Sequence, residues 1–345
     1  MPKTLKEVAK ELNTSVSTIS RVINKKDNVN EETRKKVLKA LKNSDYIPNQ
    51  VARSLKIKHT KIIGIVIPDV CERVFGQVIK GVDAIVSNEG YSIILVDTGE
   101  NKEKEEKYLD MLFQQRVDAL IIATIDINGT KILQFINNNI PVVFIDNLPN
   151  INVNYDAVII DNILASKLAI HRFIETGHSR IAIIAGSPLE TTGYDRVLGY
   201  KIALQEAGIE VDERLILYGN YKEDSGFANF ERLLENRSKA PFTAVFVTSE
   251  MMTYGVMKAM RKHDIKFQED IALIGFDLFD KTGLVYPGIT TIRQPEQHIG
   301  QHTAEMILKR LKNKNSKSSN VNMNTKYETG QRMLLTPYLE VKQSG

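Results

Sequence analysis

From Lys61 onward the chain alternates short, almost wholly apolar runs with amphipathic segments, and it does so twice. The first series places strand-like runs at 61–68, 91–98, 119–124 and 141–146, with helix-patterned segments at 75–89, 102–115 and 130–138. The second places strands at 181–186, 215–219, 244–249 and 271–277, with helices at 162–176, 197–207, 225–236 and 251–263. Runs such as Ile-Ile-Gly-Ile-Val-Ile leave no polar face, as expected of parallel strands covered by helices on both sides. Strand and helix in strict alternation predict a doubly wound sheet, and two series predict two such lobes in tandem. A strand at 290–294, a helix at 296–311, a polar loop at 313–325 and a hairpin-like stretch at 333–341 follow.

The first sixty residues share none of this. Residues 1–61 carry 15 Lys/Arg against 6 Asp/Glu, and the remainder carries 31 against 36. A basic head on a mildly acidic body fits a polyanion-binding module joined to a separate function. With 42% apolar and 26% charged residues, the composition is that of a soluble globular protein. Cys71 is the single cysteine, so there is no intramolecular disulfide framework, which fits a reducing compartment. No apolar run follows the opening Met-Pro-Lys-Thr and none is long enough to span a bilayer, so the reading is cytoplasmic, with no membrane partner.

Within the head, Thr4 and Glu7 form a capping box, and Leu5, Val8, Ala9 and Leu12 line one helical face. Thr14 and Ser15 offer a second cap, after which Ile19, Val22 and Ile23 point inward while Val16, Ser17, Thr18 and Arg21 are left outside. Asn30 caps a third helix with Val37, Leu38 and Leu41 as its apolar stripe. Residues 1–47 therefore read as a helix-turn-helix head. Its second helix suits a major groove, with Lys3, Lys6, Lys35 and Lys39 on phosphates. A three-helix protein-binding module is the alternative for the same shape. Residues 48–60 read as a hinge: Val51 and Leu55 stand at i, i+4 among Arg53, Lys56 and Lys58. So short a helix is marginal alone in water. Its apolar residues suit either a wedge into a minor groove or ordinary packing on a neighbouring domain.

Thr4-Leu-Lys-Glu-Val-Ala, Ser15-Val-Ser-Thr-Ile-Ser-Arg-Val-Ile-Asn24 and Asn49-Gln-Val-Ala-Arg-Ser-Leu55, in this order and spacing, resemble the LacI/GalR family of bacterial transcriptional regulators. The resemblance implies that Val16, Ser17 and Arg21 read bases, beside Thr4, Ser15 and Thr18. It also implies that Asn49, Val51, Ala52, Leu55 and Lys56 meet DNA, with Leu55 as the minor-groove wedge. It covers the body at 61–345 as well, implying a periplasmic-binding-protein-like sensor whose chain crosses between lobes near Asp161, Arg293 and Thr325. The lobes would then be 61–161 with 293–325, and 162–292 with 326–345. A palindromic operator requires two heads. No leucine heptad follows Leu339, so the expectation is a homodimer.

Ligands of doubly wound sheets bind beyond the carboxyl ends of the strands, here Asp69, Asp146, Ser187, Ser249 and Asp277. Such residues also serve as ordinary helix caps. The resemblance places Asp277 of Gly275-Phe-Asp277 on ligand hydroxyl or amine groups and Arg196 as a clamp on the ligand. It sets Val74, Phe75, Tyr221 and Ser249 at the pocket. The family commonly has Asn-Pro-Phe-Phe where this chain has Glu72-Arg73-Val74-Phe75, and Asn-Asp where it has Ser249-Glu250. The small-molecule effector, sugar-like or another metabolite, is therefore not transferable from a relative. His298 and His302 share a helix face but have no third ligand beyond Glu305, so no metal and no cofactor is expected. No nucleophile–base pair is apparent, so the expectation is a repressor rather than an enzyme or a ligand-sequestering protein.

Overall fold

The computed structural model describes residues 5–23, 29–43, 59–267, 269–279, 288–317 and 329–345. They fall into two compact units, Met1–Thr60 and Lys61–Gly345. In the first unit α1 (Leu5–Glu11), α2 (Val16–Ile23) and α3 (Glu31–Asn43) enclose a small core of Val8, Ala9, Ile19, Val22 and Val37. The start of α2 is capped by Ser15, whose Oγ accepts the Thr18 N–H at 3.1 Å. Asn30 caps α3 through the Glu32 N–H at 2.9 Å. Leu38 departs from the expected stripe: it is 51% exposed, while Ala40 and Leu41 pack on the core. At 100° per residue Leu38 lies off the line joining Val37 and Leu41. Thr4 and the hinge residues Asn49, Val51, Ala52, Leu55 and Lys56 lie outside the described residues.

The second unit holds two six-stranded sheets. The N-lobe runs β1 (Ile62–Ile67), α4 (Arg73–Val86), β2 (Ser92–Asp97), α5 (Lys102–Gln114), β3 (Ala119–Ile122), α6 (Thr130–Asn137), β4 (Val142–Ile145) and β5 (Asp156–Ile160). The chain then enters the C-lobe with α7 (Asn162–Glu175), β6 (Ile181–Ala185), α8 (Thr191–Glu206), β7 (Ile216–Tyr218), α9 (Glu223–Glu235), β8 (Ala244–Val247), α10 (Glu250–Lys262), β9 (Ala272–Phe276) and β10 (Thr290–Arg293). It returns to the N-lobe for α11 (Glu296–Lys317) and β11 (Arg332–Leu335), and ends in the C-lobe with β12 (Tyr338–Glu340). Strand order is β11-β5-β4-β3-β1-β2 in one sheet and β12-β10-β9-β8-β6-β7 in the other. Every pairing is parallel except β12 on β10.

This topology corrects the expected tail. β11 pairs with β5 and β12 with β10, so 333–341 is no hairpin, and the third crossing falls at residues 336–337 rather than near Thr325. The N-lobe therefore includes β11 and extends to Leu335, beyond the expected bound at 325. The polar stretch from 313 begins inside α11, which continues to Lys317. β5 was not anticipated; its run Asp-Ala-Val-Ile-Ile starts on a charge, and that charge is satisfied in place. Asp156 is fully buried and takes both Nε and Nη2 of Arg310 at 2.7 Å, plus the Gln331 N–H at 2.9 Å. α4 and α11 approach backbone to backbone. A Cβ on Gly300 would stand 2.0 Å from the Val78 carbonyl oxygen, and one on Gly81 2.3 Å from that of Gln297.

Candidate effector cleft and DNA-binding face

On α2 the first turn presents short hydroxyls. Ser15 Oγ shares hydrogen bonds with Ser17 Oγ at 2.7 Å and Thr18 Oγ1 at 2.8 Å. Val16 is 40% exposed, Ser17 and Arg21 are exposed, and Ile19 and Val22 are buried beneath them. The burial of Ile19 and Val22 fixes the rotation of the helix, so the face bearing Val16, Ser17 and Arg21 is turned away from the described core of the head.

In the body, the carboxyl ends of the strands of the two lobes meet. Asn147, after β4, donates from Nδ2 to Glu190 of the C-lobe at 2.9 Å. Its Oδ1 accepts the N–H and Oγ1 of Thr192, at 3.1 and 2.9 Å. Lys222, after β7, reaches Asp69 after β1 at 2.7 Å and Glu100 after β2 at 3.0 Å. Burial works against the ammonium, but the two carboxylates outweigh it and Lys222 is pushed up to about 12. Glu72 is raised by burial to about 8, with Asp146, Glu100 and Asp69 adding to the shift. Burial, then Asp146, raises Glu190 to about 7. These loops thus bring the carboxyl groups of Asp69, Glu72, Glu100, Asp146 and Glu190 close together.

The residues singled out in the sequence divide by what already occupies them. Val74, Phe75 and Asp146 line one hollow with Val78, Gln294 and Ile299; at about 20 Å³ it admits a single water. Phe75 is buried in the N-lobe core. Asp146 sits at φ 60°, and burial raises its carboxyl against the pull of Arg196. Arg196 is buried, donating from Nε to Asn162 Oδ1 at 2.8 Å and from Nη1 to the Thr248 carbonyl at 2.7 Å. Its guanidinium lies 3.9 Å above the Phe276 ring. Asp277, at φ 54°, accepts the backbone N–H and Nε2 of Gln294 at 3.2 and 2.5 Å. Burial raises it to about 6. The Ser249 hydroxyl caps α10 through the Met252 N–H at 3.2 Å. Tyr221 lies at φ 62°, shares a hydrogen bond with Thr192 Oγ1 at 3.0 Å, and presses on Gly186, where a Cβ would fall 1.9 Å from its ring.

Glu100, Asn147, Glu190, Thr192 and Lys222 carry no signal in the sequence, whereas Glu72 stands in the stretch that departs from the family pattern. Glu190 and Thr192 were hidden because α8 starts at Thr191, six residues before the expected Val197. Asn147 directly follows a strand-end residue that was recognised. Among the described residues no group of three or more His, Cys, Asp or Glu could hold a metal ion. His302 instead meets Glu305 at 3.1 Å. No described helix is long and apolar enough to cross a membrane.

Residues 60–332 match the family model described as periplasmic binding proteins and sugar binding domain of the LacI family, and residues 4–49 match that of bacterial regulatory proteins, lacI family. The HTH-type transcriptional repressor PurR of Vibrio atlanticus is 34% identical over 313 residues, covering 90% of this chain and 92% of the relative. PurR of Klebsiella pneumoniae is 32% identical over 343 residues, covering 99% of each. Among solved structures, a complex of the transcriptional regulator CelR with cellobiose superposes with a TM-score of 0.73 at 28% identity, covering 99% of this chain and 100% of that one. The lac repressor dimer bound to operator and the anti-inducer ONPF gives 0.83 at 24% identity over 100% and 99%, a likeness of fold.

Proposed function

Because this chain belongs to the LacI family of bacterial regulatory proteins, we propose how its head and cleft divide the work. It is a DNA-binding transcriptional repressor with an effector-binding body, and a regulator rather than an enzyme. Our reading is that a homodimer places two copies of α2 in successive major grooves of a palindromic operator, in the cytoplasm. Val16, Ser17 and Arg21 meet base edges there, with Ser15 and Thr18 beside them. The hinge residues Asn49, Val51, Ala52, Leu55 and Lys56 add minor-groove contacts. The effector is a small polar metabolite, sugar-like or related, bound where the strand ends of the two lobes meet.

The observation that carries this is the pairing of an exposed, hydroxyl-rich α2 face with a cleft built from strand carboxyl ends. In this reading Arg196, Asp277, Asp146 and Tyr221 meet the effector, with Val74, Phe75 and Ser249 beside them. Selection of bound fragments from a random DNA pool tests the reading. It should return a two-fold symmetric site whose affinity falls roughly 10³-fold or more between 50 and 200 mM salt. Recovery of no consensus, or a flat salt response, would refute it.

A further inference from the structure

Asn147 joins the two lobes through a ring of hydrogen bonds whose hydrogens can be counted. Its Oδ1 accepts the backbone N–H of Thr192 at 3.1 Å, and since that group can only donate, the orientation of the amide is settled. The same Oδ1 takes the Thr192 hydroxyl hydrogen at 2.9 Å, and Nδ2 donates to Glu190 Oε2 at 2.9 Å. Beside them the Leu148 N–H reaches Thr191 Oγ1 at 3.0 Å. Thr192 then has no hydrogen left for Tyr221, so the 3.0 Å contact between their hydroxyls is made with the Tyr221 hydrogen. Glu190 in turn lies within hydrogen-bonding reach of Tyr221. With its hydrogen committed to Thr192, Tyr221 offers Glu190 only lone pairs. The ring closes when the Glu190 carboxyl carries a hydrogen of its own.

We propose that Glu190 takes up a proton from solvent when the lobes close, so that closure of the cleft is a proton-linked step. Asn147 is the trigger, because it belongs to the N-lobe while Glu190, Thr192 and Tyr221 belong to the C-lobe. When the lobes part, Asn147 Oδ1 releases the Thr192 hydrogen. Thr192 can then donate to Tyr221, and Tyr221 to an ionised Glu190. Closing reverses the order and leaves the carboxylate without that donor. The charged groups facing Glu190 act in the same direction: Asp146 after β4 and Glu100 after β2 are both carboxylates of the opposite lobe. Glu72, just before α4, adds a third beside Asp146 and Glu100. The cations of this wall are engaged elsewhere, Arg196 on Asn162 and the Thr248 carbonyl, Lys222 on Asp69 and Glu100. Glu190 is the N-cap residue of α8, yet its side chain accepts none of that helix's N–H groups. The inference goes beyond effector binding, since a proton alone biases the lobes.

Infrared spectroscopy of the full-length chain reads the proton itself. The spectrum of wild type minus that of Glu190→Gln should contain a neutral carboxyl band that titrates with a midpoint of about 7. The same difference taken in an Asn147→Ala background, where the ring is broken, should contain none at about pH 6, since the freed carboxyl returns toward its ordinary range. Pulsed electron paramagnetic resonance then reads the lobes, with Cys71→Ser and nitroxides on Glu103→Cys and Glu235→Cys, diluted with unlabelled chain. The closed-to-open ratio should fall roughly tenfold between about pH 6 and 8, because the closed state binds the extra proton. Glu190→Gln should show no such fall, as its amide can accept from Asn147 and donate to Tyr221 at any pH. A difference spectrum without the band, or a band that persists with Asn147→Ala, would overturn the proposal. So would a distance distribution that ignores pH, or a pH response that survives Glu190→Gln. Neither measurement uses an effector or an operator, so failure here leaves the regulator reading to stand or fall by itself.

Discussion

Gln294 binds Asp277 twice, through its backbone N–H and its side-chain amide. The residue at the end of β9 is thereby tied to the segment that carries the chain from the C-lobe back to the N-lobe. A carboxylate expected to face a ligand is also a fastening between the lobes. Burial keeps it protonated to about pH 6, against an ordinary value of 3.8.

That shift makes stability depend on pH. A folded value above the unfolded one favours the folded state fully below the unfolded value, and the benefit is lost as pH rises through the folded one. Asp277 should therefore cost the body about 3 kcal/mol between roughly pH 4 and 6. Asp277→Asn should flatten that part of a plot of urea midpoint against pH. Parallel curves for the two proteins would contradict the assignment.

Arg196 donates two buried hydrogen bonds in the C-lobe. Removing its guanidinium leaves Asn162 Oδ1 and the Thr248 carbonyl buried without these donors, so Arg196→Ala should lose about 2–4 kcal/mol of body stability. Arg196→Lys should recover only part, since one ammonium lacks the fork and the ring stacking. Chemical denaturation gives the answer, and a fully stable Arg196→Ala would mean that these bonds are dispensable.

At the head, Arg21→Ala should leave thermal unfolding unchanged because the side chain is exposed. It should weaken specific binding by about 1–3 kcal/mol and relax the preference at one base pair per half-site. An equal loss on every sequence would make Arg21 a phosphate contact. Ser15→Ala should instead destabilise the head itself by about 1 kcal/mol through loss of the α2 cap.

The α4–α11 crossing predicts a large effect from a small change. Gly300→Ala sets a methyl group against the Val78 carbonyl and forces the helices apart, at a cost of about 1–3 kcal/mol. Calorimetry of the body reads this directly, and an unaltered melting temperature would show that the crossing is slack.

Leu55→Ala should keep ligand affinity and weak non-specific DNA binding while losing specific affinity and duplex bending. Energy transfer across an operator fragment measures the bend. Equal bending by both proteins would reduce the hinge to a tether.

The strand runs were legible because burial on both faces removes polar residues from them, as in Ile62–Ile67. β5 was not, because Asp156 at its start is neutralised by Arg310, far away in the chain. The early turns of α8 were obscured by Thr191, Thr192 and Gly193, which read as loop residues. Strand-end positions gave Asp146 and Asp277, since the fold class alone puts ligands there. Their partners across the cleft had no local signature: Lys222 and Glu190 are ordinary polar residues until the lobes face each other.

The division of β11 and β12 between the sheets has a consequence for synthesis. β5 and β10 each keep an open edge until residues 332–340 have been made, because those residues supply the covering strand of both lobes. Domains usually fold in order as the chain emerges. Here neither sheet is complete before residues 332–340 are available, and until then both lobes expose a strand edge that can template aggregation.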